Sequence, residues 1–367
     1  MSATSGEIVP ADLSQWLDDN AVRLDVASDD ASALLPKLAA AGLFKIGVPV
    51  PFGGAGAGLA DAVRAIAAVS ARSLAAGFVA WGHRTFIEYL LQSPNEVLRA
   101  KLLPDLLTGR RAGATGLSNA MKFLSGLEEL QLTAFGRVPT IRIEGKLPWV
   151  TNLRKEGFDV AAAVQSNDGR PAFVISLSSD DTGLTRTDDL DLMAMRATNT
   201  AAIRIAGVEI GGDRVIHGNA REWLPQARPA FLGLQCGMSI GLAARSLSEA
   251  RDQLGNRRDV LTDPIERLTA ELNDLEKELL SRLNGPFFVE RPLALFRIRI
   301  RLAEIVNQSL QLELSATGGK AYLSAPGEGY QRRLRESAFI PVVTPSLVQL
   351  KTVVDDHERR LTSREIA

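Results

Sequence analysis

One cysteine, Cys236, and three scattered histidines are all that this 367-residue chain holds of the residues that form disulfides and most transition-metal sites. A single thiol excludes an intrachain disulfide framework, and a reducing compartment fits. His83, His217 and His357 are isolated from one another and from the cysteine, so no metal-ligand spacing exists, and each reads as a surface or structural residue. Long apolar runs are missing as well: none reaches about 18 residues, and the first residues form neither a basic nor an apolar leader. The expectation is a soluble, cytoplasmic protein with no membrane segment. Excess charge is also lacking. The net charge is −1, so no whole-chain field argues for nucleic acid or anionic lipid. One segment departs from this balance: residues 1–30 carry seven acids against Arg23 alone, which reads as a solvated N-terminal helix.

Hydrophobic periodicity is what the chain does have. Residues 11–111 repeat alanine and leucine at helical intervals, as in "ASALLPKLAAAGLFKI" and "LADAVRAIAAVSARSLAAGFVAW". From 112 to 220 short β-branched runs take over, among them "LQLTAFG", "TIRIEGKLPWVTN", "DVAAAVQS", "PAFVISLS" and "TAAIRIAGVEI", broken by turn sequences such as "NDGRP". They predict antiparallel strands in a small barrel or sandwich. Helical spacing returns from 221 to 367. "FRIRIRL" (296–302) alternates like a strand, but Leu295, Ile298, Leu302 and Ile305 keep helical spacing through it and predict helix. Gly233, Gly237 and Gly241 fall on one helix face, where a backbone or a flat ligand can approach closely. The order helices, strands, helices, without βαβ alternation, predicts an α+β multidomain chain. Its parts are an N-terminal helical domain (1–111), a middle antiparallel β-barrel (112–220) and a C-terminal helical bundle (221–367).

Two motifs match by letter only. "GGAGAG" (53–58) lacks the preceding strand, the last glycine and the later acid of a dinucleotide fingerprint, and reads as a turn. "GMSIG" (237–241) matches a nucleophile elbow but lies inside a long helical stretch.

Three segments in order carry a resemblance. "LAAAGLFKIGVPVPFGGAGAGLADAVRAIAAVSARS" with "LLPDLLTGRRAGATGLS", then "EGKLPWVTN" with "LMAMRATNTAAIRIAGVEIGGDRVI", then "ATGGKAYL" with "YQRRLRES", are together similar to the acyl-CoA dehydrogenase superfamily. The resemblance spans roughly residues 33–350. It implies a C-terminal four-helix bundle, FAD held between the barrel and that bundle, and a homotetramer or homodimer. By position it implies Trp149 and Thr151 beside the flavin ring, and Leu117 and Ser118 in the flavin-holding loop. It also implies Gly318 and Gly319 where backbone amides meet a neighbouring subunit's pyrophosphate, and Arg257 at the adenine of that FAD.

The departures from the family pattern concern the acid–base group. Dehydrogenation of an acyl thioester removes a weakly acidic proton, so a carboxylate must stand within hydrogen-bond reach. Thr344 occupies one family position for the glutamate, and Phe231 lies near the other. The "T-E-P-x-A-G-S-D" loop reads "GLSNAMKFLSG" (116–126), with Lys122 and Phe123 at the substrate contacts. Glu328 and Glu336 are the acids that could swing in to replace the base. The first expectation is an FAD-dependent oxidoreductase acting on a small molecule, an acyl thioester by family average. The alternatives are a monooxygenase fed by a flavin reductase and O2, and a catalytically silent scaffold.

Overall fold

The computed structural model describes residues 8–124, 128–255 and 259–365. It opens with five helices: α1 (Ala11–Val26), α2 (Ala31–Ala40), α3 (Leu59–Ser70), α4 (Leu74–Gln92) and α5 (Glu96–Leu107). Side-chain caps begin two of them, Ser73 accepting from the Ala76 amide at 3.3 Å and Asn95 from the Leu98 amide at 3.0 Å. The apolar stretch of α4 is buried on every side, as expected of a helix without a polar face. The acidic start is more than a solvated helix. Leu13, Leu17, Ala21 and Leu24 line a buried stripe of α1, and Asp25 is fully buried at its end. "GGAGAG" forms a turn, with Gly53 and Gly56 at φ 82° and 74°.

Among the described residues the middle of the chain holds eight strands: β1 (Ala112–Thr115), β2 (Leu132–Arg137), β3 (Thr140–Val150), β4 (Phe158–Ser166), β5 (Phe173–Ser178), β6 (Leu184–Arg186), β7 (Ala201–Ile210) and β8 (Val215–His217). Their order is β6-β7-β3-β2-β4-β5-β8, and β1 also pairs with β4. The sheet is mostly antiparallel, as expected, with two departures from a closed antiparallel barrel. β4 pairs in parallel with both β1 and β2, and among the described residues no ladder joins β6 to β8. "AGAT" of β1 is too short to show a period. A short helix, α6 (Ser118–Leu124), follows it.

The last part is helical: α7 (Ala220–Asp252), α8 (Thr262–Arg282), α9 (Phe287–Glu290), α10 (Pro292–Thr317), α11 (Glu328–Ser337) and α12 (Leu347–Glu365). α7 packs on α8 and α10, and α10 packs on α12. "FRIRIRL" is helical within α10, burying Leu295, Ile298, Leu302 and Ile305. "GMSIG" lies mid-helix in α7, and its glycines serve packing. A Cβ at Gly241 would fall 2.1 Å from the Ala67 carbonyl oxygen, so α3 crosses α7 backbone to backbone. Among the described residues no helix is long and apolar enough to cross a membrane, and no cluster of His, Cys, Asp and Glu could hold a metal.

Candidate functional site

The end of β3 meets α4, α7 and the segment after α11 around a cavity of about 450 Å³. From the strand side come Leu147, Pro148, Trp149, Val150 and Thr151, with Met193, Met195 and Thr200 beside them. From the helix side come Phe78 and Trp81 of α4, Phe231 of α7, and Arg335, Ala338, Phe339, Val342, Val343 and Thr344. Thr115, Gly116, Ser118, Glu128 and Gln131 complete the lining. A larger shallow groove of about 610 Å³ lies on α8 and α10, lined by polar residues such as Arg267, Glu271 and Gln308. It holds none of the residues singled out above.

The two walls differ in finish. On the helix side Phe78 stacks on Trp81, with centroids 5.5 Å apart and planes 7° apart, and Phe231 meets Trp81 edge-on at 5.2 Å. The Trp81 indole N–H donates to the Phe231 backbone carbonyl at 3.2 Å, which fixes the Trp81 ring. On the strand side Trp149 is 62% exposed while Thr151 is buried. The Thr151 hydroxyl donates to the Thr198 carbonyl at 3.2 Å, and its methyl lies against Gly82, where a Cβ would come within 3.1 Å. The hydroxyl proton is therefore committed, and what the oxygen offers a ligand is lone pairs. Donation to a ring, the role implied by the resemblance, needs a rotation of this hydroxyl.

Buried polar groups tie the walls together. Asp25 takes the Met195 amide at 2.9 Å with one oxygen and the Arg335 Nε at 2.9 Å with the other, joining the strand-side loop to α11. Glu336, a candidate base by sequence, is fully buried behind the helix wall. It accepts from the Leu74 amide at 3.0 Å and from Arg332 at 2.6 Å. Burial pushes its carboxyl up to about 7 against the pull of Arg332 and the two amides at the start of α4. It serves as a helix cap rather than a base. Glu328 begins α11 and is exposed. Behind the cavity, His83 accepts from the Gly113 amide at Nδ1 (2.9 Å), so its Nε2–H donates to the Leu106 carbonyl (2.9 Å). Desolvation lowers its pKa to about 4. Cys236 is buried in α7, and its thiol is pushed up to about 12 by burial, an inert sulfur rather than a nucleophile.

Trp149, Thr151, Ser118, Phe231 and Thr344 thus share one cavity. Phe123 does not join them: its ring is half-buried under the Arg221 guanidinium, 4.3 Å away. Leu117 is fully buried core rather than lining. The Lys122 side chain and Arg257 lie outside the described residues. Gly318 ends α10 at φ 64°, Gly319 has open space where a Cβ would stand, and neither lines the cavity. Sequence reasoning missed Glu128, Arg335, Phe78 and Trp81. The aromatic pair looked like ordinary helix core, and Glu128 had no signal to separate it from other loop acids.

Residues 13–110 match the model of the acyl-CoA dehydrogenase N-terminal domain. Mitochondrial isovaleryl-CoA dehydrogenase from Pongo abelii is 27% identical over 169 residues, which span 44% of this chain and 39% of that protein. Among solved structures, glutaryl-CoA dehydrogenase in its glutaryl-CoA complex superposes with a TM-score of 0.78 at 16% identity, covering 97% of this chain and 95% of that one. KijD3, solved with FMN and dTDP-3-amino-2,3,6-trideoxy-4-keto-3-methyl-D-glucose, gives 0.79 at 17% identity, covering 98% and 94%.

Proposed function

We propose that this chain, which belongs to the acyl-CoA dehydrogenase superfamily, is a flavin-dependent oxidoreductase acting on a small molecule in the aromatic-walled cavity. The observation that carries the reading is that Trp149 and Thr151 line one cavity with Thr344 and Phe231. The exposed Trp149 indole offers a planar face, and the Thr151 methyl beside it is packed against Gly82 of α4. Both fit an isoalloxazine ring. FAD is the cofactor we assign, with Ser118 at its edge. In a homodimer or homotetramer, Gly318, Gly319 and Arg257 would serve a neighbour's cofactor. A bound flavin supplies a two-electron acceptor and, once reduced, a centre that activates O2.

The acid–base inventory favours oxygenation over thioester dehydrogenation. Thr344 cannot take a proton near neutral pH, Phe231 brings no acid, and Glu336 is committed to α4. A water-poor pocket suits oxygenation, and Phe78, Trp81, Phe231, Phe339 and Val343 provide it. In this reading a separate reductase supplies reduced flavin. One observation favours a second reading: Glu128 lines the cavity and would be the proton acceptor of an acyl-CoA dehydrogenation. The visible spectrum of the purified protein comes first, and failure to bind FAD or FMN overturns both readings. The wild type should then consume O2 with reduced flavin and a substrate, and should not bleach with acyl-CoA thioesters under anaerobic conditions. Thr344→Glu should gain such bleaching by on the order of 10²–10⁴-fold. Strong bleaching by the wild type, abolished in Glu128→Gln, would install the dehydrogenase reading instead.

A further inference from the structure

Arg299 of α10 is fully buried, and among the described residues no carboxylate pairs with it. Its Nε donates to the Gln235 side-chain oxygen at 2.9 Å, and its Nη2 donates to the Ile340 carbonyl at 2.6 Å. The Gln235 amide then donates to the Thr344 carbonyl at 3.0 Å. Both ends of that amide are used, so its orientation is fixed. Nη1 has no partner.

We infer that Gln235 and Arg299 form a buried clamp that positions the Phe339–Thr344 wall of the cavity. That this wall faces a ligand rests on the functional reading above; the clamp itself does not. A buried cation without a counter-ion is a poor way to gain stability, and an apolar side chain of similar volume commonly does as well or better. What an arginine adds here is direction. One guanidinium reaches two carbonyls four residues apart, one directly and one through Gln235. The turn between them is otherwise held by short-range bonds, with the Val342 and Val343 amides both donating to the Phe339 carbonyl at 3.0 Å. Those two valines and Thr344 line the cavity. The clamp therefore sets where the wall stands relative to α7, from which Phe231 projects into the same space. Gln235 and Arg299 touch no ligand-facing surface and act only through the wall; they are positioning residues.

Hydrogen exchange of the full-length protein tests this without any cofactor, so failure of the clamp and failure of the flavin reading are distinguishable. In Arg299→Met the Ile340, Val342 and Val343 amides should lose about tenfold or more of their protection. The core amides of α7 and α10 should keep wild-type protection. Gln235→Glu retains an acceptor for Arg299 but removes the donor to Thr344, so it should fold normally and loosen the 342–344 end alone. Arg299→Lys, which keeps the charge and can reach one acceptor, should recover part of the protection lost in Arg299→Met. The clamp is overturned by unchanged wall exchange in Gln235→Glu, by loss of protection along α7 and α10 in step with the wall, or by no recovery in Arg299→Lys.

Discussion

The strand-side and helix-side walls of the cavity are built on opposite plans. On the strand side a backbone hydrogen bond fixes Thr151, while the Trp149 indole is left largely uncovered. On the helix side every ring has a ring neighbour, and Glu336 behind it is buried and partnered by two amides and Arg332. A finished wall gains little from a ligand; an unfinished one has apolar area left to cover. Binding energy for a flat cofactor would therefore come from the strand wall, and the helix wall is the one that fails when its supports are cut.

The helix wall should be broken most severely by Glu336→Ala. The change strips the acceptor from the Leu74 and Ala75 amides and leaves the Arg332 guanidinium buried without its partner. Removing one member of such a buried group costs about 3–5 kcal/mol. Chemical denaturation should show it, together with fraying of the first turn of α4, which precedes Phe78 and Trp81. A loss below about 1 kcal/mol would mean that the cap contributes little.

His83 joins the walls from behind, holding β1 and α5 to α4. In the folded protein it stays neutral down to about 4, against 6.5 in the unfolded chain. Between those values the unfolded chain binds a proton that the folded one refuses. Its contribution to stability is therefore fully present above pH 6.5 and is lost as pH falls toward 4, by up to about 3 kcal/mol. Denaturant midpoints from pH 7 to pH 4.5 should fall more steeply for the wild type than for His83→Gln, which cannot titrate. Parallel profiles would show that His83 takes up its proton without cost.

Local signals made the architecture legible, and long-range pairing hid most of the site's supports. The helix–strand–helix order followed from periodicity, and the "PWVTN" segment marked the strand wall because its residues are neighbours in the chain. Thr344 and Phe231 could be placed by position within long patterned segments. Nothing local in the sequence announces that Asp25 pairs with Arg335, 310 residues away. Glu336 beside two arginines read as a surface acid or a base, and only the fold shows it under the start of α4. Arg299 sits in the alternation of "FRIRIRL", which carries no local signal that separates it from Arg297 and Arg301. Phe123 was placed by its position in the "GLSNAMKFLSG" loop, and loop position does not report that Arg221 offers its ring a face away from the cavity.

Trp149→Ala should have the smallest effect of the three and bears most directly on the contrast between the walls. The indole is 62% exposed, so the folded chain without a ligand loses little packing when it is removed, and the melting temperature should barely move. An aromatic stacking contact is worth about 0.5–1.5 kcal/mol beyond the area it buries, so retention of flavin should weaken by roughly tenfold. Titration of the deflavinated protein with FAD, followed by quenching of flavin fluorescence, measures this. Phe231→Ala, on the finished wall, should behave the opposite way, lowering stability by about 3–5 kcal/mol through the cavity it leaves, with flavin affinity largely kept in the fraction that folds. If instead Trp149→Ala destabilised the protein and left flavin affinity intact, the exposed indole would be packing surface, and the cofactor would have to be sought against another face of the cavity.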